Sequence, residues 1–340
     1  LYFIQQDRII LRLVKGDSSM GHTTQPIPTS EHFEIQELAQ GIYAAIAREF
    51  GAAFSNSGII DLGDLTLVFD SFETPKAAED LKAAAKSLTG RPPAYVVNSH
   101  HHADHWFGNQ VFAGHATIIS THKTRDLMPI CLEELKTLKQ NPSELSASIE
   151  ENLQLLEAEN NPKKRTAIEG HVARLRHSLE SLPTLNLKLP NQTFESKIVF
   201  YGSQRSADLL ALGNGHTSGD CFLVLPEEKI AFLGDLAFFR RQPYLEDCDF
   251  TAWKNILEEI SQSKLKTFIP GHGPVGKKTD LLLLLQYLNA LEELVVQVKQ
   301  AGGSLEDALE ISLPEPFVEW QHTGQHRFEE NVRFLFQSVL

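Results

Sequence analysis

The chain predicts an α+β fold, a sheet layered with helices, on three observations. Short apolar runs separated by turn residues recur from Phe33 onward, helix-forming segments stand between groups of them, and a histidine-rich loop directly follows one buried run. Ile42-Tyr43-Ala44-Ala45-Ile46 and Ala52-Ala53-Phe54 read as strands. So do Ile59-Ile60, after the turn Ser55-Asn56-Ser57-Gly58, and Leu65 to Asp70. Such a succession suggests antiparallel hairpins. Thr74-Pro75 opens a helix to about Leu88, because Thr caps well and Pro suits the first helical position; Gly90-Arg91-Pro92-Pro93 stops it. Ala94 to Asn98 is a buried strand, and Thr117 to Ser120 the next.

Residues 125–182 differ. Ile149, Leu153 and Leu156 fall at helical spacing, as do Ile168, Val172, Leu175, Leu179 and Leu182, and Asn141-Pro142 and Asn161-Pro162 divide the region into three helices. This amphipathic insert, about 125–185, must lay its stripe on the main body or on a second subunit, and the latter would make a homodimer. Strands return at Lys197 to Tyr201, Ala207 to Leu212, and the hairpin Cys221 to Leu225 with Lys229 to Leu233. A helix from Thr251 to about Ser261, a strand from Lys266 to Ile269 and a long helix from Thr279 to Gln300 follow.

A single domain is expected over 31–340, preceded by a leader or appended tail at 1–30. Leu1 to Ser19 lacks the clean apolar centre of a secretory signal, and Met20 reads as a native start. The net charge of -13 argues against nucleic acid or an anionic membrane as the main partner, leaving a small molecule. Cys131, Cys221 and Cys248 have no paired spacing, which fits a reducing, cytoplasmic setting. No apolar run approaches the roughly 20 residues of a membrane span.

The chemistry centres on Asn98-Ser99-His100-His101-His102-Ala103-Asp104-His105, where five side chains can bind a metal. Imidazole with carboxylate suits zinc and related divalent ions. Three later loops each set one ligand beside glycine: His216 in Gly213 to Asp220, Asp235 in Leu233-Gly234-Asp235, and His272 in Pro270-Gly271-His272-Gly273. Five histidines and two carboxylates, His100, His102, Asp104, His105, His216, Asp235 and His272, suffice for two ions.

The motif His-x-His-x-Asp-His, then GHTSGD, LGD and PGHG in that order, resembles the metallo-β-lactamase superfamily across residues 33–274. The resemblance implies a four-layer αββα sandwich with two metals at one edge, zinc by default and iron or manganese as alternatives. It implies one ion on His100, His102 and His216, another on Asp104, His105 and His272, and Asp235 bridging them. A bridging aspartate is similar to the glyoxalase II and lactonase branches, so the expected activity is hydrolysis of a small ester, lactone or thioester by a water held between the ions. Asp104 is the expected proton acceptor, the catalytic residue of the set. The alternatives are a single-iron sulfur oxygenase of the same fold and a metal-stabilised, non-catalytic binding protein. Asp70, Ser99 and Asp220 are candidates to orient ligands. Trp106, Phe107, Phe238, Phe239 and Tyr244 could wall a pocket or fill a core, and Arg240 and Arg241 either meet an anionic substrate or belong to a solvated loop. His101 is expected to face away from the ions, and His115 and His122 to lie on the surface or behind the ligands. A solvated setting is expected for His22, His32, His171, His177, His322 and His326.

Overall fold

A computed structural model describes residues 27–322 and 327–338, so the expected leader up to Pro26, Met20, His22 and His326 lie outside the described residues. The chain opens with an antiparallel meander of β1 (Phe33–Ala39), β2 (Ile42–Ala47), β3 (Ser57–Asp61) and β4 (Thr66–Phe69). The expected strand at Ala52–Phe54 is instead a buried loop that carries Phe54 at φ 70, a left-handed backbone that no strand allows. Helix α1 (Pro75–Thr89) starts as expected: the Thr74 side chain accepts from Ala77 N–H and Gly90 closes the far end at φ 74.

β5 (Tyr95–Val97) is too short to bury much alone, but it lies parallel between β4 and β6 (Thr117–Thr121). Between β5 and β6 run two single-turn helices, α2 (Ala103–Trp106) and α3 (Asn109–Phe112). The insert follows as α4 (His122–Leu127), α5 (Pro129–Gln140), α6 (Pro142–Ala158) and α7 (Pro162–Ser181), with prolines opening the last three. The apolar stripes of α6 and α7 meet each other, Ile149 against Ile168 and Val172, with Leu153, Leu156, Leu175 and Leu179 packed around them. Thus the stripe lies within the insert itself. β7 (Gln192–Phe194) then closes a seven-stranded sheet ordered β1 to β7.

The second sheet is built from β8 (Lys197–Tyr201), β9 (Ser206–Leu210), β10 (Phe222–Leu225) and β11 (Ile230–Phe238), after which β12 (Arg241–Gln242) leaves the sheet. Helix α8 (Phe250–Gln262) leads to β13 (Thr267–His272), which lies parallel to β11. α9 (Lys278–Gln300), α10 (Leu305–Leu309), β14 (Gln321–His322) and α11 (Arg327–Ser338) complete the chain, and β14 pairs with β12. Among the described residues α9 alone is long and apolar enough to cross a membrane, but Leu281, Leu284, Leu288 and Leu291 on it are fully buried in the protein.

Four layers result. Ile42, Ile60, Leu67 and Val97 of one sheet face Leu209, Leu223, Phe232 and Ile269 of the other. The outer face of the first sheet packs on α1 and α3 through Val68, Val96, Leu81 and Phe112, and that of the second on α8, α9 and α11 through Phe268, Trp253, Leu284 and Leu335. Apolar burial on both faces of both sheets is what stabilises such a stack.

Candidate metal centre

The ends of β4, β5, β11 and β13 meet at one edge of the two sheets, and all seven predicted ligands gather there. The histidine loop is held from below. Asn98 donates to His105 O (3.2 Å) and to Asn109 Oδ1 (3.0 Å), Ser71 N–H donates to His105 O (2.9 Å), and Cys221 N–H donates to Ser99 O (2.9 Å). Ser55 Oγ–H donates to Asp104 O (2.5 Å). These bonds leave the side chains of His100, His102, Asp104 and His105 free to face inward.

The strand expected over Lys229 to Leu233, with Asp235 at its end, runs on to Phe238, so Asp235 sits inside β11 at a register break between Gly234 and Phe238. Gly271 makes room for it, and Gly234 lets β11 approach Ser99 of the histidine loop. A Cβ on Gly234 would lie 2.7 Å from Ser99 Oγ, and a Cβ on Gly271 would lie 1.8 Å from Asp235 Oδ1. The His272 loop is tied down by Asn56, whose amide donates to Pro270 O (2.9 Å) and Gly273 O (2.8 Å).

The ligand atoms form two adjoining groups. His102 Nδ1 lies 3.0 Å from His100 Nε2 and 3.1 Å from His216 Nε2, and His216 Nε2 lies 3.4 Å from Asp235 Oδ2. In the second group His272 Nε2 is 3.3 Å and His105 Nε2 3.7 Å from Asp104 Oδ2. Asp235 joins them, with Oδ1 3.1 Å from His105 Nε2 and Oδ2 3.4 Å from His272 Nε2. Ligands at about 2.0–2.1 Å on the corners of a tetrahedron around zinc stand about 3.4 Å from one another. The observed spacings cluster about that value.

A second feature tests the fit. His105 Nε2 and Asp235 Oδ1 are buried and face each other at 3.1 Å, and neither makes a hydrogen bond with any described residue. Buried polar atoms left unpaired in this way are costly, and a cation between them would satisfy both. The donor set, imidazole nitrogen with carboxylate oxygen, suits divalent zinc, iron or manganese.

The outward nitrogens are oriented. His105 Nδ1–H donates to Asp70 Oδ2 (2.8 Å), and Asp70 also accepts from Ser99 N–H (2.7 Å) and Ser99 Oγ–H (2.8 Å). Asp220 accepts from Thr217 N–H (2.9 Å) and Thr217 Oγ1–H (2.6 Å), which shapes the turn carrying His216; burial pushes Asp220 up to about 7. Of the three candidates, Asp70 and Ser99 touch ligand histidines directly, Ser99 Oγ lying 3.0 Å from His100 Nδ1, whereas the Asp220 side chain hydrogen-bonds only Thr217, beside His216, among the described residues. His102 Nε2 meets Asp247 Oδ2 at 2.8 Å, a partner that sequence reading missed because Asp247 sits in a loop with no motif around it.

Burial lowers His100 well below the usual imidazole range and takes His216 down to about 3. Burial also opposes charge on His105, but Asp235, Asp104 and Asp70 outweigh it and raise the ring. Desolvation works against Asp104 too, yet His105 and His272 hold its carboxyl far below the ordinary range. Neutral rings at His100 and His216 and an ionised Asp104 are states that ligation requires, whereas His105 and His272, whose charged forms Asp235 and Asp104 favour, would give up a proton to a bound ion.

The centre floors a cleft of about 930 Å³, within the size range of small-molecule sites. Phe238, Phe239 and Tyr244 line it, with Phe238 stacked on His272 at 5.1 Å. Trp106 does not: it is fully buried against Met128 and Leu182, with Phe107 packed on the same cluster. His101 lines the cleft beside Asp247, 3.8 Å away. The insert forms one wall through Ile130, Cys131, Thr166, Gly170, His171 and Arg174. His171 is therefore half-buried beside the site rather than solvated, and His32 is buried, accepting from Ala52 N–H through Nδ1 (3.3 Å). Both had an amphipathic or terminal setting in sequence that gave no sign of a covering neighbour. His115 and His122 are exposed, and His177 reaches Phe50 O at 3.0 Å. α7 is anchored by Glu73, which accepts from Arg174 Nε–H (3.1 Å), Arg174 Nη2–H (2.7 Å) and Ser178 Oγ–H (3.1 Å).

An αββα sandwich with histidines and aspartates converging at the sheet edge defines a class of metal-binding hydrolases. The sequence model of the metallo-beta-lactamase superfamily matches residues 50–272, and the chain belongs to that superfamily. Among solved structures it is similar to a metallo-beta-lactamase from Pontibacter korlensis, at 17% identity and a TM-score of 0.54, over 76% of this chain and 99% of that one. It is also similar to the metallo-beta-lactamase FIM-1 from Pseudomonas aeruginosa in its mono-zinc form, at 17% identity and a TM-score of 0.51, over 78% and 98%. The sec-alkylsulfatase Pisa1 from Pseudomonas sp. matches 91% of this chain at 16% identity and a TM-score of 0.61, and this chain spans 50% of its length. At these identities the likeness is one of fold.

Proposed function

We propose that this chain is a dinuclear metal-dependent hydrolase, zinc by default, acting on a small ester, lactone or thioester. The observation that carries the reading is Asp235, whose two oxygens reach into both ligand groups at the floor of one cleft. His100, His102 and His216 would hold one ion, Asp104, His105 and His272 the other, with Asp235 between them. Ions bound there would supply an activated water and polarise the substrate oxygen.

The chain's own residues do the rest. Asp104 turns Oδ2 toward His105 and His272, and its Oδ1 takes no hydrogen bond from the described residues. That oxygen is left to accept a proton from the attacking water and pass it to the leaving group. Asp70 and Asp247 fix the ring orientations of His105 and His102 from behind. Phe238 and Phe239, buried beside the His272 loop, and the half-buried Tyr244 give the cleft an apolar lining that limits water around the centre.

The test is turnover of a panel of esters, lactones, thioesters, sulfate esters and β-lactams by the metal-loaded protein, before and after chelation. Chelator-sensitive acyl hydrolysis, restored by zinc, is expected. No turnover of any acyl substrate, with oxygen consumption by a single-iron form, would overturn the reading in favour of the sulfur oxygenase.

A further inference from the structure

Five of the chain's thirteen arginines line the metal cleft, and no lysine among the described residues does. In a protein of net charge -13 that concentration is unexpected of a solvated surface. Four of the five have other engagements or lie open. Arg174 is held by Glu73, Arg327 donates to Glu330 (2.6 Å) and sits over the Tyr244 ring, Arg48 Nε–H donates to Ser30 O (3.2 Å), and Arg240 is exposed.

Arg241 differs. Its backbone is fixed in β12, paired with Gln321, just after Phe239 N–H donates to His272 O at 3.0 Å, so it is tethered to the ligand loop. Its side chain is half-buried in the cleft, and its guanidinium makes no hydrogen bond or ion pair with any described residue. The cleft's acids leave it so. Asp247 is taken by His102, Glu319 by Lys163, and Asp104 and Asp235 by the metal centre, while Glu49 and Glu134 make no ion pair with it. Glu49 does favour its charge, but burial outweighs that and lowers its pKa. A partly desolvated guanidinium with no counterion is a cost the fold would not carry without a ligand to offset it. Its planar fork of donors matches an oxyanion in a way a lysine would not.

We propose that the substrate carries an oxyanion group, a carboxylate or a phosphate, at the end remote from the hydrolysed bond, and that Arg241 receives it through paired N–H donors. The inference rests on the hydrolase reading for where the reacting bond lies, but not for the anion site itself.

The test uses the zinc-loaded full chain with ester series matched in length, ending in a methyl, a carboxylate or a phosphate. The wild type should prefer one anionic series over the neutral one by about 10- to 100-fold in kcat/KM, the range for a charged hydrogen-bonded pair. In Arg241→Gln that ratio should collapse toward one, mainly through KM, and Arg241→Lys should recover part of it. Zinc content and thermal midpoint, measured on each variant, show that the fold is intact. Calorimetric binding of succinate and inorganic phosphate to wild type and Arg241→Gln is run alongside. Should no ester turn over, an approximately tenfold weaker anion affinity in the variant upholds the oxyanion site while the hydrolase reading falls. Equal turnover of neutral and anionic series in the wild type, or anion binding unchanged in Arg241→Gln, overturns the proposal.

Discussion

Asp70→Asn isolates the part played by the shell behind the ligands. Asp70 is fully buried, and its Oδ2 accepts from both His105 Nδ1–H (2.8 Å) and Ser99 Oγ–H (2.8 Å). Asn has the same shape, and it tolerates the left-handed backbone at this position, φ 61, so the substitution changes chemistry rather than packing. An amide nitrogen in place of Oδ2 would point a donor at a donor. His105 must then move its proton to Nε2, the atom that faces Asp235 Oδ1 at 3.1 Å, where a metal would have to displace it. Losing one hydrogen bond to a charged acceptor costs about 1.5–3 kcal/mol, which is roughly 10- to 100-fold in metal affinity. Zinc titration against a chromophoric chelator reads that shift, with circular dichroism of the metal-free protein as the control for folding. Asp247→Asn should cost less, because the carboxylate behind His102 is 44% exposed and water can replace it. An Asp70→Asn protein that binds zinc within about threefold of wild type would refute the reasoning from ring orientation.

Three further outcomes follow from the same geometry. Asp235→Ala removes the oxygens shared by both ligand groups, and His102→Ala removes one member of the first group; each should lower bound metal and abolish chelator-sensitive turnover, as metal analysis beside an activity assay will show. Gly271→Ala would place a methyl 1.8 Å from Asp235 Oδ1 and 2.9 Å from Gly234 C; a loss of about 1–3 kcal/mol of stability from overpacking, with impaired metal binding, should appear in thermal melts and zinc titration. Glu73→Gln weakens the anchor of α7, and since the Arg174 side chain is 39% exposed the cost should be only about 1 kcal/mol. Hydrogen exchange should then quicken in α7 and leave α9 unchanged, with a reduced kcat/KM because Arg174 and His171 move with the cleft wall.

The candidate ligands that gather at the sheet edge were legible in sequence because the pattern depends on residue type and order alone. His100, His102, Asp104, His105, His216, Asp235 and His272 each stand in a motif beside an apolar run or a glycine, though Asp235 lies within β11 rather than at its end. α1 and the three proline-opened helices of the insert were legible for a similar reason, since caps and prolines act locally. What could not be read depends on contacts between distant segments. Asp247 reaches His102 from 145 positions away, and Asn56 holds the His272 loop from 217 away, with no local pattern to mark either. His171 lies on an amphipathic helix, and only the folding of α7 back over the sheet edge brings it to the cleft. Ala52–Phe54 misled for the opposite reason: its residues favour burial, which they achieve as a loop. The C-terminal α11, short and rich in charge, shows its apolar face only once Val332 and Leu335 meet the α9 layer.

The most direct measurement is the number and kind of metal ions per folded chain, taken by elemental analysis on protein purified without added metal and again after zinc loading. Two divalent ions per chain in the loaded wild type, falling in Asp235→Ala, is the expected result. A single ion that zinc loading cannot increase, with Asp235→Ala binding as much metal as wild type, would contradict a centre built on a shared aspartate.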